Sequence, residues 1–321
     1  MRPVLLALPG NERQAEALSR ALGAEPGSFL LRRFPDDETY LRVDAELAGR
    51  EVVLVCTLDR PDAKLLPLVF LADAARELGA TRVGLVAGYL AYMRQDRRFL
   101  DGEAVTSTSF ARLLSLAVDW LVTVDPHLHR HAALAELYTI PSVAVQAAPT
   151  VAGWIQRCVR RPLLVGPDVE SGQWVRAVAE LAGAPALILR KERRGDREVV
   201  VSAPDVAQWK DRTPVLVDDI ISTARTMIET VTQLRAAGLE PPVCIGVHAV
   251  FAGASERELL AAGGGRVITC DTIEHSSNGI ALAPALAEGV RQCLGHAGPR
   301  PAHGRMERAR AREELHGGRH G

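Results

Sequence analysis

Residues 215–227 read VLVDDIISTARTM. An apolar run typical of a buried strand leads directly into two acids, Asp218 and Asp219. A short turn with two hydroxyls, Ser222 and Thr223, comes next, and the residues after it have the apolar spacing of a helix. A strand that runs into a helix through a polar turn is the repeating unit of parallel α/β sheets.

The same alternation of apolar run and helical stretch continues along most of the chain. Near-continuous apolar strands such as EVVLVCT and RVGLVAG indicate parallel sheets that are covered on both faces. A length of 321 residues suits two domains. We therefore predict an α/β protein with an N-terminal domain over 1–148 and a C-terminal domain over 149–295. Residues 296–321 are rich in Arg, Gly and His, and we expect this tail to be disordered.

The composition is that of an ordinary globular protein, with 47% hydrophobic and 24% charged residues. A formal net charge of -1 gives no reason to expect a nucleic acid or a membrane as partner. The first apolar run is too short for a signal segment or a bilayer span, so we expect a cytoplasmic protein. The five cysteines form no CxxC pair and are interpreted as buried free thiols.

The turn at residues 222–226 has the chemistry of a phosphate site. Hydroxyls and backbone N–H groups at the start of a helix attract anions, whereas the two preceding acids would repel them. Carboxylates suit the hydroxyls of a sugar or a magnesium ion. A phosphorylated sugar satisfies both parts of the stretch. The alternative is a capped helix that merely follows two solvated acids.

Several motifs, taken in order, resemble one family. VLVDDIISTART resembles the phosphoribosyl diphosphate (PRPP) binding motif shared by phosphoribosyltransferases and PRPP synthases. FPDDE, YMRQDRR, VDPHLH, GPDVESG and RKERRGDREV each resemble an element of the ribose-phosphate diphosphokinases (PRPP synthases), as does the ending from GVHAVF to TCDTI. The resemblance extends over roughly residues 1 to 295, with a loop spacing closer to the archaeal type. It implies two phosphoribosyltransferase-like domains, each a mainly parallel sheet flanked by helices.

The implied reaction is transfer of the diphosphoryl group of MgATP to ribose 5-phosphate, which gives PRPP and AMP. The implied catalytic pair is Lys191 and Arg193, and the implied Mg²⁺ ligands are His127 and Asp168. The implied ribose 5-phosphate contacts are Asp218, Asp219, Ser222, Thr223, Ala224, Arg225 and Thr226. The implied ATP contacts are Phe34, Asp36, Glu38, Arg94, Gln95, Asp96 and His127. The first three of these belong to a loop that a neighbouring subunit supplies in the family, so a homo-oligomer is also implied.

Two alternatives share part of these motifs. A phosphoribosyltransferase that consumes PRPP would have the first motif but would not need YMRQDRR or the lysine loop. A non-catalytic regulatory homologue would keep the fold, yet Lys191, Arg193 and His127 are all present. One departure concerns the first motif, where Ala224 replaces the usual glycine. Alanine restricts φ, so we expect a stiffer or slightly displaced turn.

Overall fold

The computed structural model describes residues 1–128, 130–167, 171–194, 198–202 and 206–295. For residues 190–194, 198–202 and 206–207 it describes only the backbone. The predicted disordered tail at 296–321 and the predicted metal ligand Asp168 lie outside the described residues. Within those residues, no helix is both long enough and apolar enough to cross a bilayer.

The first half of the chain builds a six-stranded parallel sheet with the order β2-β1-β5-β6-β7-β8. Its strands and the hairpin beside it are β1 (Val4–Ala7), β2 (Glu25–Pro26), β3 (Phe29–Arg33), β4 (Thr39–Val43), β5 (Glu51–Val55), β6 (Arg82–Ala87), β7 (Trp120–Val124) and β8 (Ser142–Val145). The helices of this half are α1 (Glu12–Leu22), α2 (Pro61–Glu77) and α3 (Thr106–Ala117). A short 3-10 helix covers Leu134–Glu136.

The second half builds another six-stranded parallel sheet, with the order β10-β9-β13-β14-β15-β16. Its strands and the ribbon beside it are β9 (Pro162–Gly166), β10 (Ala186–Ile188), β11 (Arg190–Arg194), β12 (Glu198–Ser202), β13 (Thr213–Ile221), β14 (Val243–Ala249), β15 (Arg266–Cys270) and β16 (Asn278–Ile280). The helices that follow β8 are α4 (Ala148–Cys158), α5 (Gly172–Ala182), α6 (Arg225–Ala236), α7 (Ser255–Ala261) and α8 (Ala283–Gly295). A second 3-10 helix covers Val206–Trp209.

The last helix returns to the first sheet. A Cβ atom at Gly289 of α8 would lie 2.9 Å from Val122 of β7 and 3.1 Å from Val145 of β8. Leu286 and Val290 of the same helix belong to one buried cluster with these strands. The fold class is therefore as predicted. The boundary between the two domains near residue 148 stays a prediction.

The FPDDE stretch lies outside both six-stranded sheets. Residues 34–38 form the tip of the antiparallel β3–β4 hairpin. All five cysteines are free, as expected, but Cys158 near the end of α4 is exposed while the other four are buried. Cys158 lies in the last turn of an amphipathic helix, on its solvent side.

The two halves meet closely beyond the carboxyl ends of β6 and β15. The Thr57 hydroxyl donates to the backbone carbonyl of Thr272 at 2.7 Å and accepts from the backbone N–H of Tyr89 at 3.1 Å. The side-chain amide of Gln14 donates to the carbonyl of Asp271 at 2.9 Å. We call this contact, formed by Gln14, Thr57, Gly88 and Tyr89 against Asp271 and Thr272, the seam.

The lack of a side chain at Gly88 allows the two halves of the chain to approach closely at the seam. A Cβ atom at this position would lie 2.6 Å from the carbonyl oxygen of Thr272 and 2.9 Å from Nε2 of Gln14. The first of these is a backbone atom that already accepts a hydrogen bond, so it cannot move away without breaking the seam. Only a residue without a side chain allows the two halves to meet at this distance.

Gly88→Ala is therefore expected to separate the halves. Overpacking of this kind lowers the free energy of unfolding by about 1–3 kcal/mol. Denaturant unfolding of the purified protein measures it. The matched control is Gly153→Ala in α4, where the added Cβ would meet only the mobile end of Arg157, at 3.3 Å. The control should be neutral or stabilising because alanine favours a helix. Equal unfolding midpoints for the two variants would contradict a tight seam.

Candidate active site

A side-chain hydrogen bond joins the carboxyl end of β7 in the first sheet to that of β13 in the second. His127, three residues beyond β7, places Nδ1 2.8 Å from Oδ2 of Asp219 in β13. Both side chains are partly buried. The contact joins a residue predicted for the ATP and metal side to a residue predicted for the ribose side.

The charge state of Asp219 follows from this contact. Burial raises its pKa, but the hydrogen bond and charge of His127, a hydrogen bond within the Asp218–Asp219 pair and the charge of His248 together outweigh burial. The pKa is lowered to about 2, so Asp219 is a carboxylate at neutral pH. The backbone N–H of Asp219 also donates to Oδ1 of Asp218 at 3.0 Å, which fixes the two acids relative to each other.

Asp125, at the end of β7, has the opposite environment. Burial raises its pKa to about 6, and the negative charge of Asp219 adds to the rise. The backbone N–H of Ala147 donates to Oδ2 of Asp125 at 3.0 Å and offsets part of this cost. The residue also has φ of 31°, a value that few non-glycine residues adopt. Strain and a raised carboxyl pKa at one position are typical of a functional site.

The turn between β13 and α6 has the form that the sequence indicated. Ala224 adopts a left-handed conformation with φ 56° and ψ 9°, and its carbonyl accepts the N–H of Ile228 at 2.8 Å. The alanine therefore occupies the conformation that glycine takes more readily, at a cost on the order of 1 kcal/mol. The carbonyl oxygens of Ile221 and Ser222 accept N–H groups from the loop after β14, which holds the turn in place.

The predicted phosphate residues are open to solvent at this turn. Thr223 and Arg225 are exposed, and Ser222 and Thr226 are partly buried. Arg225 is the first residue of α6 and makes no ion pair with the described side chains. The backbone N–H groups of the first helical turn have no partners within the helix. An anion can thus reach hydroxyls, N–H groups and a guanidinium together.

A cavity of about 690 Å³ lies between the two sheet edges. The predicted residues that line it are His127, Asp218, Asp219 and Thr226. The structure adds Asp125, Gln146 and Trp174, which sequence reasoning did not assign. Of these, only Asp125 carried a signal, because it is the acid that ends a strand immediately before the predicted histidine.

The predicted ATP residues form two separate groups. Arg94 is exposed and borders a narrow crevice with His127, so it belongs with the site. Gln95 accepts the Thr106 hydroxyl at 3.0 Å, and Asp96 pairs with Arg130 at 3.6 Å; these contacts shape the loop. Phe34, Asp36 and Glu38 lie at the exposed hairpin tip and do not line the cavity.

The structure describes only part of the predicted catalytic pair and of the predicted metal site. Lys191 and Arg193 belong to β11, which follows β10 directly, with Lys191 opposite Val201 of β12; their side chains lie outside the described part. Among the described residues, no group of three or more His, Cys, Asp or Glu side chains forms a metal cage. The donors at the sheet edges are instead carboxylate oxygens and one imidazole, which suit a hard cation that retains waters or substrate oxygens.

The raised pKa of Asp125 gives a test of the site electrostatics. Its carboxyl is protonated in both folded and unfolded states below about pH 4, whereas above about pH 6 it is charged in both and penalised by burial in the folded state. Asp125→Asn is neutral and keeps an oxygen acceptor for Ala147. In chelator, the variant should therefore be more stable than the original protein at about pH 7.5, by at most about 2–3 kcal/mol, and the gap should close towards about pH 4.

Thermal unfolding at the two pH values measures this gap. The control is Asp101→Asn in an exposed turn, for which we expect the same small difference at both pH values. A gap for Asp125→Asn that does not change with pH would contradict the assignment of a raised pKa.

The chain matches two family models. The model described as the N-terminal domain of ribose phosphate pyrophosphokinase matches residues 4–117, and the phosphoribosyl transferase domain model matches residues 144–287. A ribose-phosphate pyrophosphokinase of Methanopyrus kandleri is 34% identical over 294 residues, with 91% of this chain and 100% of that protein covered. The protein of the same name from Halobacterium salinarum strain R1 is 30% identical, with 89% and 100% covered.

A solved structure shows the same fold over almost the whole chain. The crystal structure of phosphoribosylpyrophosphate synthetase from Mycobacterium smegmatis superposes with a TM-score of 0.79 and covers 92% of this chain and 99% of that one. Its sequence identity is 22%, so this likeness shows the fold alone. The family models and the full-length relatives go further, and they place this chain in the ribose-phosphate pyrophosphokinase family.

Proposed function

We propose that this protein transfers the diphosphoryl group of MgATP to the 1-hydroxyl of ribose 5-phosphate, which gives PRPP and AMP. The observation that carries the proposal is the hydrogen bond between His127 and Asp219. It brings the nucleotide side of the first half and the sugar side of the second half together at one cavity. Family membership supports the same reaction.

On the sugar side, the 5-phosphate binds at the turn formed by Ser222, Thr223, Ala224, Arg225 and Thr226. The first turn of α6 supplies N–H groups and a favourable dipole for this dianion. Asp218 and Asp219 lie just before the turn and accept the ribose hydroxyls. Because Asp219 stays ionised at neutral pH, it accepts these hydrogen bonds without first losing a proton.

On the nucleotide side, Arg94 and His127 face the triphosphate, and Gln95 and Asp96 shape the loop that carries Arg94. The carboxylates at the cavity fit Mg²⁺ in the form that ATP carries it, with the implied ligands His127 and Asp168. Magnesium neutralises phosphate charge during phosphoryl transfer. Without it, the acids Asp125, Asp218 and Asp219 would repel the triphosphate.

The exposed hairpin tip supports a homo-oligomer. Phe34 is 39% exposed, and Arg32 lies 4.7 Å from its ring and 4.2 Å from the ring of Tyr40. This stack holds an aromatic ring out from the sheet, where the adenine of an ATP bound to a neighbouring subunit can pack on it. Asp36 and Glu38 at the same tip supply acceptors for the adenine amino group. We also propose that the enzyme works in the cytoplasm.

The alternatives have less support. A phosphoribosyltransferase that consumes PRPP needs the β13–α6 turn but not a second sheet that presents Arg94 and His127 to it. A regulatory homologue would not need Asp219 to be ionised and held by His127.

Incubation with MgATP and ribose 5-phosphate, followed by phosphorus NMR, tests the proposal: AMP and PRPP should accumulate together. ADP and a ribose bisphosphate, or no product, would contradict it.

Lys191→Ala tests the catalytic loop. In a chain with three lysines, Lys191 lies among arginines and supplies a compact charge for the migrating diphosphoryl group. Turnover should fall by at least about 100-fold, as on loss of a transition-state donor, with little change in the Michaelis constant for ATP. Lys210→Ala, at an exposed position, is the matched control and should keep full turnover. Near-normal turnover of Lys191→Ala would rule this role out.

Arg225→Ala tests the phosphate turn. Loss of one charge-assisted bond should raise the Michaelis constant for ribose 5-phosphate about 10-fold and leave that for ATP nearly unchanged. Arg157→Ala is the control because this exposed arginine lies at the opposite end of the second half, just before β9. If Arg225→Ala binds ribose 5-phosphate normally, the hydroxyls and N–H groups form the whole phosphate site.

A further inference from the structure

The loop between β14 and α7 holds the backbone of the proposed phosphate turn. The backbone N–H of Phe251 donates to the carbonyl of Ile221 at 2.8 Å, and the N–H of Ala252 donates to the carbonyl of Ser222 at 3.0 Å. Ile221 is the last residue of β13, and Ser222 is the first residue of the turn. The position of the turn therefore depends on where this loop holds its two N–H groups.

The ring of Phe251 is the large side chain that anchors this loop. Residues 252–254 have a small side chain or none. The partly buried ring of Phe251 packs against the apolar cluster that contains Ile221 and Ala224 of the turn. The backbone of Phe251 has a φ of 20°, at the edge of the left-handed region. A residue other than glycine keeps such a backbone only where its surroundings hold it.

His275, from the segment between β15 and β16, supports the Phe251 ring. The two ring centroids are 4.7 Å apart, and the planes are tilted by 37°. His275 is itself held in place. Its backbone N–H donates to Oδ1 of Asn278 at 2.9 Å, and its Nδ1 lies 2.8 Å from the hydroxyl of Ser277. The imidazole is therefore a fixed surface for the phenyl ring.

These contacts connect β16 to the phosphate turn. Asn278 is the first residue of β16 and holds His275, whose ring supports Phe251, and the loop of Phe251 holds the turn at Ser222. An anion site built from backbone N–H groups and hydroxyls binds more tightly when these groups are already in place. Otherwise part of the binding free energy is lost in ordering them.

We propose that Phe251, supported by the imidazole of His275, is a positioning residue that preorganises the turn at 222–226 for the phosphate of ribose 5-phosphate. The proposal rests on the function proposed above. Phe251 does not line the cavity between the sheets, so it acts through the backbone of the turn. It should therefore set the affinity for the sugar phosphate and leave ATP binding and the transfer step nearly unchanged.

Substitutions at Phe251 test this role. Phe251→Ala and Phe251→Gly remove the ring and keep the N–H donor, and Phe251→Tyr keeps the ring. The Michaelis constant for ribose 5-phosphate should rise about fivefold to tenfold for Ala and Gly and stay within about twofold for Tyr. The constant for ATP and the turnover at saturating substrate should change by less than about twofold. Because glycine also relieves the φ of 20°, a normal Gly variant would contradict support by the ring.

A double-mutant cycle separates positioning from simple destabilisation. His275→Ala should raise the same Michaelis constant, and adding it to Phe251→Ala should barely deepen the loss, because both changes remove one contact. Val267→Ala is the control, since Val267 is buried in the same apolar cluster but lies near the amino end of β15, away from the turn. It should lower the unfolding temperature and leave the constant unchanged. If Phe251→Ala does not fold, His275→Ala carries the test.

Calorimetric titration of ribose 5-phosphate, with Mg²⁺ and a non-hydrolysable ATP analogue present, separates this role from the reaction. Affinity of Phe251→Ala within about twofold of the original, or an equal loss for Val267→Ala, would overturn the role of Phe251, whether or not AMP is formed. If the original protein binds ribose 5-phosphate, weakens about fivefold to tenfold in Phe251→Ala and makes no AMP, the proposed function falls and the role of Phe251 stands. An original protein that does not bind ribose 5-phosphate would overturn both.

Discussion

The site depends on how closely the two sheets approach each other. Each sheet alone carries only half of the groups of the proposed site: the first has Arg94 and His127, and the second has Asp219 and the proposed phosphate turn. The absence of a side chain at Gly88 and the hydrogen bond from Thr57 to the Thr272 carbonyl hold the sheets at a fixed distance. The return of α8 to the first sheet adds a second attachment, so the halves cannot separate without exposing apolar surface.

The electrostatics of the cavity follow from this approach. Asp125, Asp218 and Asp219 line the same cavity because the carboxyl ends of β7 and β13 converge there. The hydrogen bond with His127 helps to keep Asp219 ionised, while burial and the Asp219 charge push Asp125 towards its neutral form. Under the proposed function, a magnesium ion carried by ATP would add positive charge beside these acids.

The sequence predicted local elements better than contacts between them. The apolar runs predicted β5 and β6 nearly as observed, because burial on both faces of a parallel sheet leaves an uninterrupted apolar run. The apolar spacing after residue 223 likewise predicted α6. The motif at 215–227 also predicted the turn, including the unusual demand on Ala224. No local pattern could show that α8 covers the first sheet, since an apolar helix face does not identify its partner. The His127–Asp219 contact spans 92 positions of the chain, so no local pattern could show it.

The most direct test of the account is a crystal structure with a non-hydrolysable ATP analogue, ribose 5-phosphate and Mg²⁺. We expect the sugar phosphate on the turn at 222–226 and the triphosphate beside Arg94 and His127. The ribose 1-oxygen should lie about 3–3.5 Å from the β-phosphorus and in line with the leaving AMP. A sugar phosphate bound away from this turn, or reactants held too far apart for transfer with the seam intact, would contradict it.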